Sequence, residues 1–112
     1  MGAIAVPILP GKLEAWQAWI EEMNGSRKAE LEEFNARYGL TRHRAFLQQN
    51  PDGSHVVIAI TDGPGADGLM GAVAASNHPF DVWFKEHVQE VHGLDFSGPM
   101  PPLPELRIDS GS

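Results

Sequence analysis

The chain contains no cysteine. Disulfides, thiolate nucleophiles, iron–sulfur clusters and cysteine-ligated zinc are thereby excluded, and any metal would have to be held by His, Asp or Glu. Positive charge is also scarce: eight Lys and Arg stand against fifteen Asp and Glu, a formal charge of −7. That balance repels a phosphate backbone unless the cations cluster, and the only close groups are Arg27 with Lys28 and Arg42, His43 and Arg44. Nucleic acid is a disfavoured partner. No apolar run approaches the ~18 residues of a membrane span, and the opening MGAIAVPILPGK lacks a basic stretch ahead of an extended apolar core. The expected compartment is the cytoplasm, without membrane contact. What is present is 112 residues, 42% apolar and 21% charged, which suits a single soluble domain with one packed core over residues 1–112.

Residues 3–9, AIAVPIL, are short, apolar and rich in β-branched types, and stop at Pro10-Gly11. They read as a strand, which Pro7 confines to an edge or a bulge. From Leu13 the period changes: Leu13, Trp16, Ile20, Met23, Arg27, Leu31, Phe34 and Tyr38 form a helical stripe with one charged interruption. The stripe keeps phase through Asn24-Gly25-Ser26, so one long or kinked helix over 12–38 is preferred to two helices, with Gly39 as its stop. TRHRAFLQQ (41–49) and SHVVIAI (54–60), joined by Asn50-Pro51-Asp52-Gly53, read as a hairpin closed by a type I turn and a bulge at Gly53.

With that bulge Gln49 faces His55. One sheet face then carries His43, Ala45, Leu47 and Gln49 with His55, Val57, Ala59 and Thr61, and the other Arg44, Phe46 and Gln48 with Val56, Ile58 and Ile60; without the bulge the two sets exchange partners, and the sequence leaves open which face lines a pocket. TDGPGADG (61–68) reads as a flexible loop and candidate lid, followed by a short helix of small residues from Leu69 to Ala75. In SNHPFDVWFKEHVQEVHG (76–93), Ser76 and Asn77 are candidate caps, Pro79 suits the first turn and Asp81 suits the N-terminal dipole. Phe80, Trp83, Phe84, His87, Val88 and Val91 repeat with helical spacing, Gly93 closes the helix, and His92 sits where a cation would suit its C-terminus. SGPMPPLP (97–104) is a proline-rich linker, and ELRID (105–109) alternates as a last short strand.

The resulting order, β-α-β-β-α-β, is the α+β ferredoxin-like plan of an antiparallel sheet with helices on one face. Apolar residues on both faces of so small a sheet call for a cover on the second, and a homodimer pairing two sheets is the simplest one.

LPGKLEAWQAWIEEM, TRHRAFLQQNPDGSHVVIAI and SNHPFDVWFKEHV, taken in sequence, resemble the dimeric α/β-barrel superfamily, the group of the antibiotic biosynthesis monooxygenases, and most of all its short bacterial members with no assigned activity. The resemblance implies two protomers closing their sheets into a barrel, with a hydrophobic or aromatic small molecule held between sheet and helices. Members range from cofactor-free oxygenases and haem enzymes to ligand-binding regulators, so fold alone does not choose among them. The resemblance makes His87 the counterpart of a haem-ligating histidine and Trp83 and Arg44 analogues of oxygenase pocket residues.

His87, on the apolar stripe one turn from Trp83, is a candidate neutral base, and Arg44 a candidate holder of a substrate anion. The plainer readings are a core histidine bonded to a backbone carbonyl and an arginine ion-paired with one of the many carboxylates. Trp83, Phe80, Phe46, Gln48, His43 and His55 are the candidate ligand-binding residues. Trp16 is expected in the core, and Trp19, just off the stripe, at a dimer edge or pocket rim. His78, His87 and His92 lack the i, i+4 spacing of a helical zinc site, and His43 and His55 are not cross-strand neighbours, so no metal is expected. No cofactor is expected, with haem as the minor alternative. The leading expectation is a homodimer binding a hydrophobic or aromatic metabolite, monooxygenase-like if an enzyme; the alternative is a non-catalytic ligand-binding or interaction module.

Overall fold

Strand β1 (Gly2–Pro7), helices α1 (Leu13–Asn24) and α2 (Lys28–Arg37), strands β2 (Arg42–Gln49) and β3 (His55–Asp62), and helices α3 (Leu69–Ala75) and α4 (Pro79–His92) follow one another in a computed structural model that describes residues 1–98 and 102–111. The fold is α+β: a three-stranded antiparallel sheet of order β1-β3-β2, whose Val6 and Val57 enter a core shared with Trp16 and Trp19 of α1 and Val88 and Val91 of α4. Pro7 lies in an edge strand, where its missing donor costs no ladder bond. Among the described residues no helix is long and apolar enough to cross a membrane.

The hairpin has the bulged register. Gln49 pairs with His55, Gly53 takes φ 89°, and the turn is held by Gly53 N donating to Asn50 O (2.9 Å) and Asn50 N to Ser54 O (2.7 Å). The Asp52 carboxylate accepts from Ser54 N (2.9 Å) and Ser54 Oγ (2.6 Å), so the turn residues organise one another. The inner face thus carries His43, Ala45 and Leu47, and the outer face Arg44, Phe46 and Gln48.

Three expectations are corrected. The helix expected over 12–38 is two helices: Gly25 adopts φ −124° and ψ −101°, outside the helical region, and both Gly25 N and Arg27 N turn back to Glu22 O (3.2 and 2.8 Å). The stripe survives the break because Trp16, Met23 and Phe34 all remain buried, and Arg27, its charged interruption, lays its guanidinium 4.1 Å above the Trp83 ring. The candidate lid at 61–68 is tied down. Thr41 N donates to Asp62 O (2.8 Å) and Gly65 N to Gly39 O (3.2 Å), and a Cβ at Gly65 would run into the Tyr38 carbonyl, so the glycines serve close backbone contact. The expected last strand does not form: residues 102–111 are neither helix nor strand, with Leu106 69% and Ile108 83% exposed. Alternation makes a strand only when the segment pairs with an edge, and residues 105–109 pair with neither β1 nor β2, the two edge strands of the sheet. Residues 99–101 of the proline-rich linker lie outside the described residues.

Helix α4 starts on His78, whose Nδ1 accepts from Phe80 N (3.2 Å), with Pro79 in the first turn. Ser76 is not the cap; its hydroxyl donates to Asp81 (2.6 Å) and accepts from His78 N (3.2 Å). Gly93, at φ 71°, ends the helix as expected.

Candidate functional site

Across the sheet the inner face reads Gly2–Thr61–His43, Ile4–Ala59–Ala45 and Val6–Val57–Leu47. Its centre is small. The outer rows, Ala3–Ile60–Arg44 and Ala5–Ile58–Phe46, put the bulk on the other side. Above the small floor the core divides into two clusters of buried residues, one around Trp16, Trp19, Val57 and Val91, the other around Phe34, Leu69, Val73 and Phe80. Between them lies a cavity of about 420 Å³ whose lining includes Trp16, Trp19 and Met23 from one cluster and Phe34, Leu69 and Val73 from the other. A space of this size and apolar character matches small-molecule sites. It exists because Gly2, Ala45, Ala59 and Ala66 contribute too little volume to fill it.

Few polar groups face this space. His43 lies in the wall with Nδ1 3.3 Å from Asn35 Oδ1 and its ring stacked on Phe34, at 6.4 Å and 28°. Burial pushes its pKa below the ordinary histidine value. As a neutral ring donating Nδ1–H to Asn35, it keeps a lone pair on Nε2. His92 also lines the cavity; its Nδ1–H donates to Pro7 O (2.7 Å), and burial lowers its pKa against the smaller opposing pull of that bond. His92 therefore does not supply the expected cation at the helix exit, because it is buried rather than solvated. Trp19, 4% exposed and also in the wall, has an indole Nε1–H with no hydrogen-bond partner among the described residues. Asn24, Thr61, Asp67 and Met1, whose terminal ammonium lies 3.6 Å from Asp67 Oδ1, also contribute polar groups to the lining, which includes no Lys or Arg side chain among the described residues.

Of the residues expected at the site, only His43 lines the cavity among the described residues. Arg44, Phe46 and Gln48 lie on the outer sheet face, where Arg44 Nη2 is 3.4 Å from Asp62 Oδ2 in the plainer ion pair. His55 shares the inner face but sits at the hairpin end of β3, and its carbonyl accepts from Ile8 N (3.0 Å). His87 donates Nδ1–H to Trp83 O (2.9 Å) and stacks on Trp19 at 5.5 Å and 20°, so it is a half-buried histidine bonded to a backbone carbonyl and outside the cavity lining. Trp83 stacks between Arg27 and the Phe80 and His87 rings, and Phe80 is 2% exposed in the second cluster.

Trp19, expected at a dimer edge or pocket rim, is a buried part of the cavity wall, and Thr61 and Asn35 were not anticipated at the site. For Trp19 the signal was present, since Trp16, Trp19 and Met23 are spaced 3 and 4 and share a face as well as Trp16, Ile20 and Met23 do. Asn35 carried none.

A second polar cluster lies away from the cavity lining. Asp81, fully buried, accepts from Arg37 Nη2 (2.6 Å), Ser76 Oγ (2.6 Å) and the Tyr38 hydroxyl. Burial alone would raise its pKa, but these hydrogen bonds and the Arg37 charge outweigh it and hold the carboxyl below its ordinary range. With its partners all internal, this group is a joint rather than a reagent. No group of three or more His, Asp or Glu able to hold a metal is present among the described residues. No family model, curated protein or solved structure matches the chain.

Proposed function

We propose that the protein binds a hydrophobic or aromatic small molecule in the cavity between sheet and helices. The observation that carries this reading is the cavity of about 420 Å³ at the seam of two well-packed clusters. Protein interiors seldom leave such a volume unfilled without use. The β1-β3-β2 order, the helices packed on one face and the apolar outer face support a ferredoxin-like protomer of a dimeric α/β barrel, as the sequence resemblance implies. Binding is favoured over carbanion oxygenation because His87 and Arg44, the base and anion partner that mechanism requires, lie outside the cavity wall. Haem fits less well still: its carboxylates would meet no Lys or Arg in the described lining.

The test uses the neutral fluorophore N-phenylnaphthylamine. It is expected to brighten with one site per protomer, and Ala59→Phe, which places a ring on the cavity floor beside Ala45, is expected to abolish the signal while circular dichroism stays unchanged. Unaltered dye binding in a folded Ala59→Phe variant sinks the assignment of the cavity as the site.

A further inference from the structure

The composition of the cavity wall also bears on how narrowly the site selects. We infer that the site is permissive, taking aromatic molecules of like size and different outline, and that Met23 and Met70 set this breadth; the inference rests on the cavity reading above.

The first observation is where the methionines lie. The chain has four, and the three among the described residues, Met1, Met23 and Met70, all line the cavity. Met23 comes from the end of α1 and is 8% exposed, while Met70 comes from the first turn of α3 and is half-buried against the cluster that holds Trp16 and Trp19. A methionine side chain is unbranched, turns about three bonds and carries a polarisable sulfur, so it fits itself to irregular space and makes favourable contact with rings. A β-branched side chain is held to one or two χ1 rotamers instead. Two elements of the wall therefore yield to what they meet.

The second observation is that part of the wall is irregular chain. Leu94, Phe96, Leu103 and Pro104 line the cavity from outside every helix and strand. Phe96 packs against both clusters from a turn in which the Asp95 carboxylate accepts from Ser97 N (2.9 Å) and Ser97 Oγ (2.7 Å), and Leu103 is 43% exposed. Side chains on such a segment shift at lower cost than those on a paired strand. The floor is the stiff part, because Ala45 and Ala59 are paired across β2 and β3.

The two observations point the same way. A selective pocket rejects the wrong outline with close-fitting walls that do not move, whereas permissive binders present methionine-rich or loop-rich surfaces that repack around each guest. This cavity combines methionines and irregular chain above a fixed floor.

Isomers test the inference, since they share size and apolar surface and differ in outline. Alpha- and beta-naphthol form one set and ortho-, meta- and para-phenylphenol another, each competed against bound N-phenylnaphthylamine. On the wild-type chain the dissociation constants within each set are expected to agree within about threefold. The Met23→Ile, Met70→Ile double variant keeps the apolar bulk and stiffens both side chains, and is expected to widen each spread to about tenfold with circular dichroism unchanged. The gentler Met23→Leu, Met70→Leu pair is expected to widen it in the same direction and serves if the isoleucine pair does not fold. These ratios compare ligands on one protein, so a general loss of affinity in a variant does not mimic them. A wider wild-type spread, or folded variants that keep the wild-type spread, overturns the inference while leaving the cavity as a site. Failure of every isomer, with the dye also unbound, overturns both.

Discussion

His43 and His92 are neutral for one reason: each is taken out of water, and neither gains a carboxylate partner strong enough to hold a proton. Their pKa values in the fold lie below the unfolded value of about 6.5. Between the folded and unfolded values the unfolded chain binds more protons, so stability rises with pH there. It is complete above the unfolded pKa and is lost as pH falls from about 6.5 towards the folded values, by up to about 1.4 kcal/mol per pH unit for each ring. The urea midpoint is therefore expected to drop between pH 7 and pH 5, and the His92→Gln, His43→Phe double variant to flatten that drop. A midpoint that rises on acidification through this window contradicts the neutral assignment. The same scale shows what a linear pattern hides: Arg27 and Trp19 each broke the simplest helical stripe, one because its guanidinium covers an indole, the other because it is buried in the same cluster as Trp16 and Met23.

Between elements, Asp81 does the joining. It sits in the first turn of α4, where an anion also suits the helix dipole, and its three partners come from the last residue of α2, the residue after it, and the link from α3. The end of α2, the link from α3 and the first turn of α4 thus converge on one carboxylate. Removing it strands the partly buried Arg37 and the Ser76 and Tyr38 hydroxyls, so Asp81→Ala is expected to cost about 3 kcal/mol in urea unfolding, a large share of a small domain's stability. A loss under about 1 kcal/mol would mean the segments are held by apolar packing alone. Legibility at this scale followed the range of the cause. The hairpin, the α3 span and the Gly93 stop were readable because turn chemistry and glycine act within a few residues, whereas the choice between the two registers came only with the pairing of Gln49 to His55. Ser76 was misread as a cap because its hydroxyl is claimed by Asp81, a contact that brings in α2. The break at Gly25 was weighed and set aside since phase alone does not register a three-residue turn, and the tail stays out of the sheet although β1 and β2 are both edge strands, a long-range outcome that no local pattern reveals.

At the scale of the whole molecule, the sheet is dressed on one side only. The inner rows meet the helices, while Ala5–Ile58–Phe46 and Ala3–Ile60–Arg44 face away from them, with Phe46 49% exposed. A continuous apolar face of this kind on a small domain calls for a cover. A second copy is the partner we propose, since an identical face supplies the same rows related by a two-fold axis and satisfies both at once. The central row decides the matter: Ile58 lies between Ala5 and Phe46, so a charge there sits where two copies would be closest while the inner face and its cavity stay untouched. The wild-type chain is expected to elute with light scattering at twice its own mass, and Ile58→Lys at its own mass with an unchanged far-ultraviolet spectrum. The monomeric variant should still bind N-phenylnaphthylamine, because Ile58 lies on the sheet face opposite the one that lines the cavity. A wild-type monomer at high micromolar concentration, or a dimer indifferent to Ile58→Lys, would mean that the outer face is not what joins two copies.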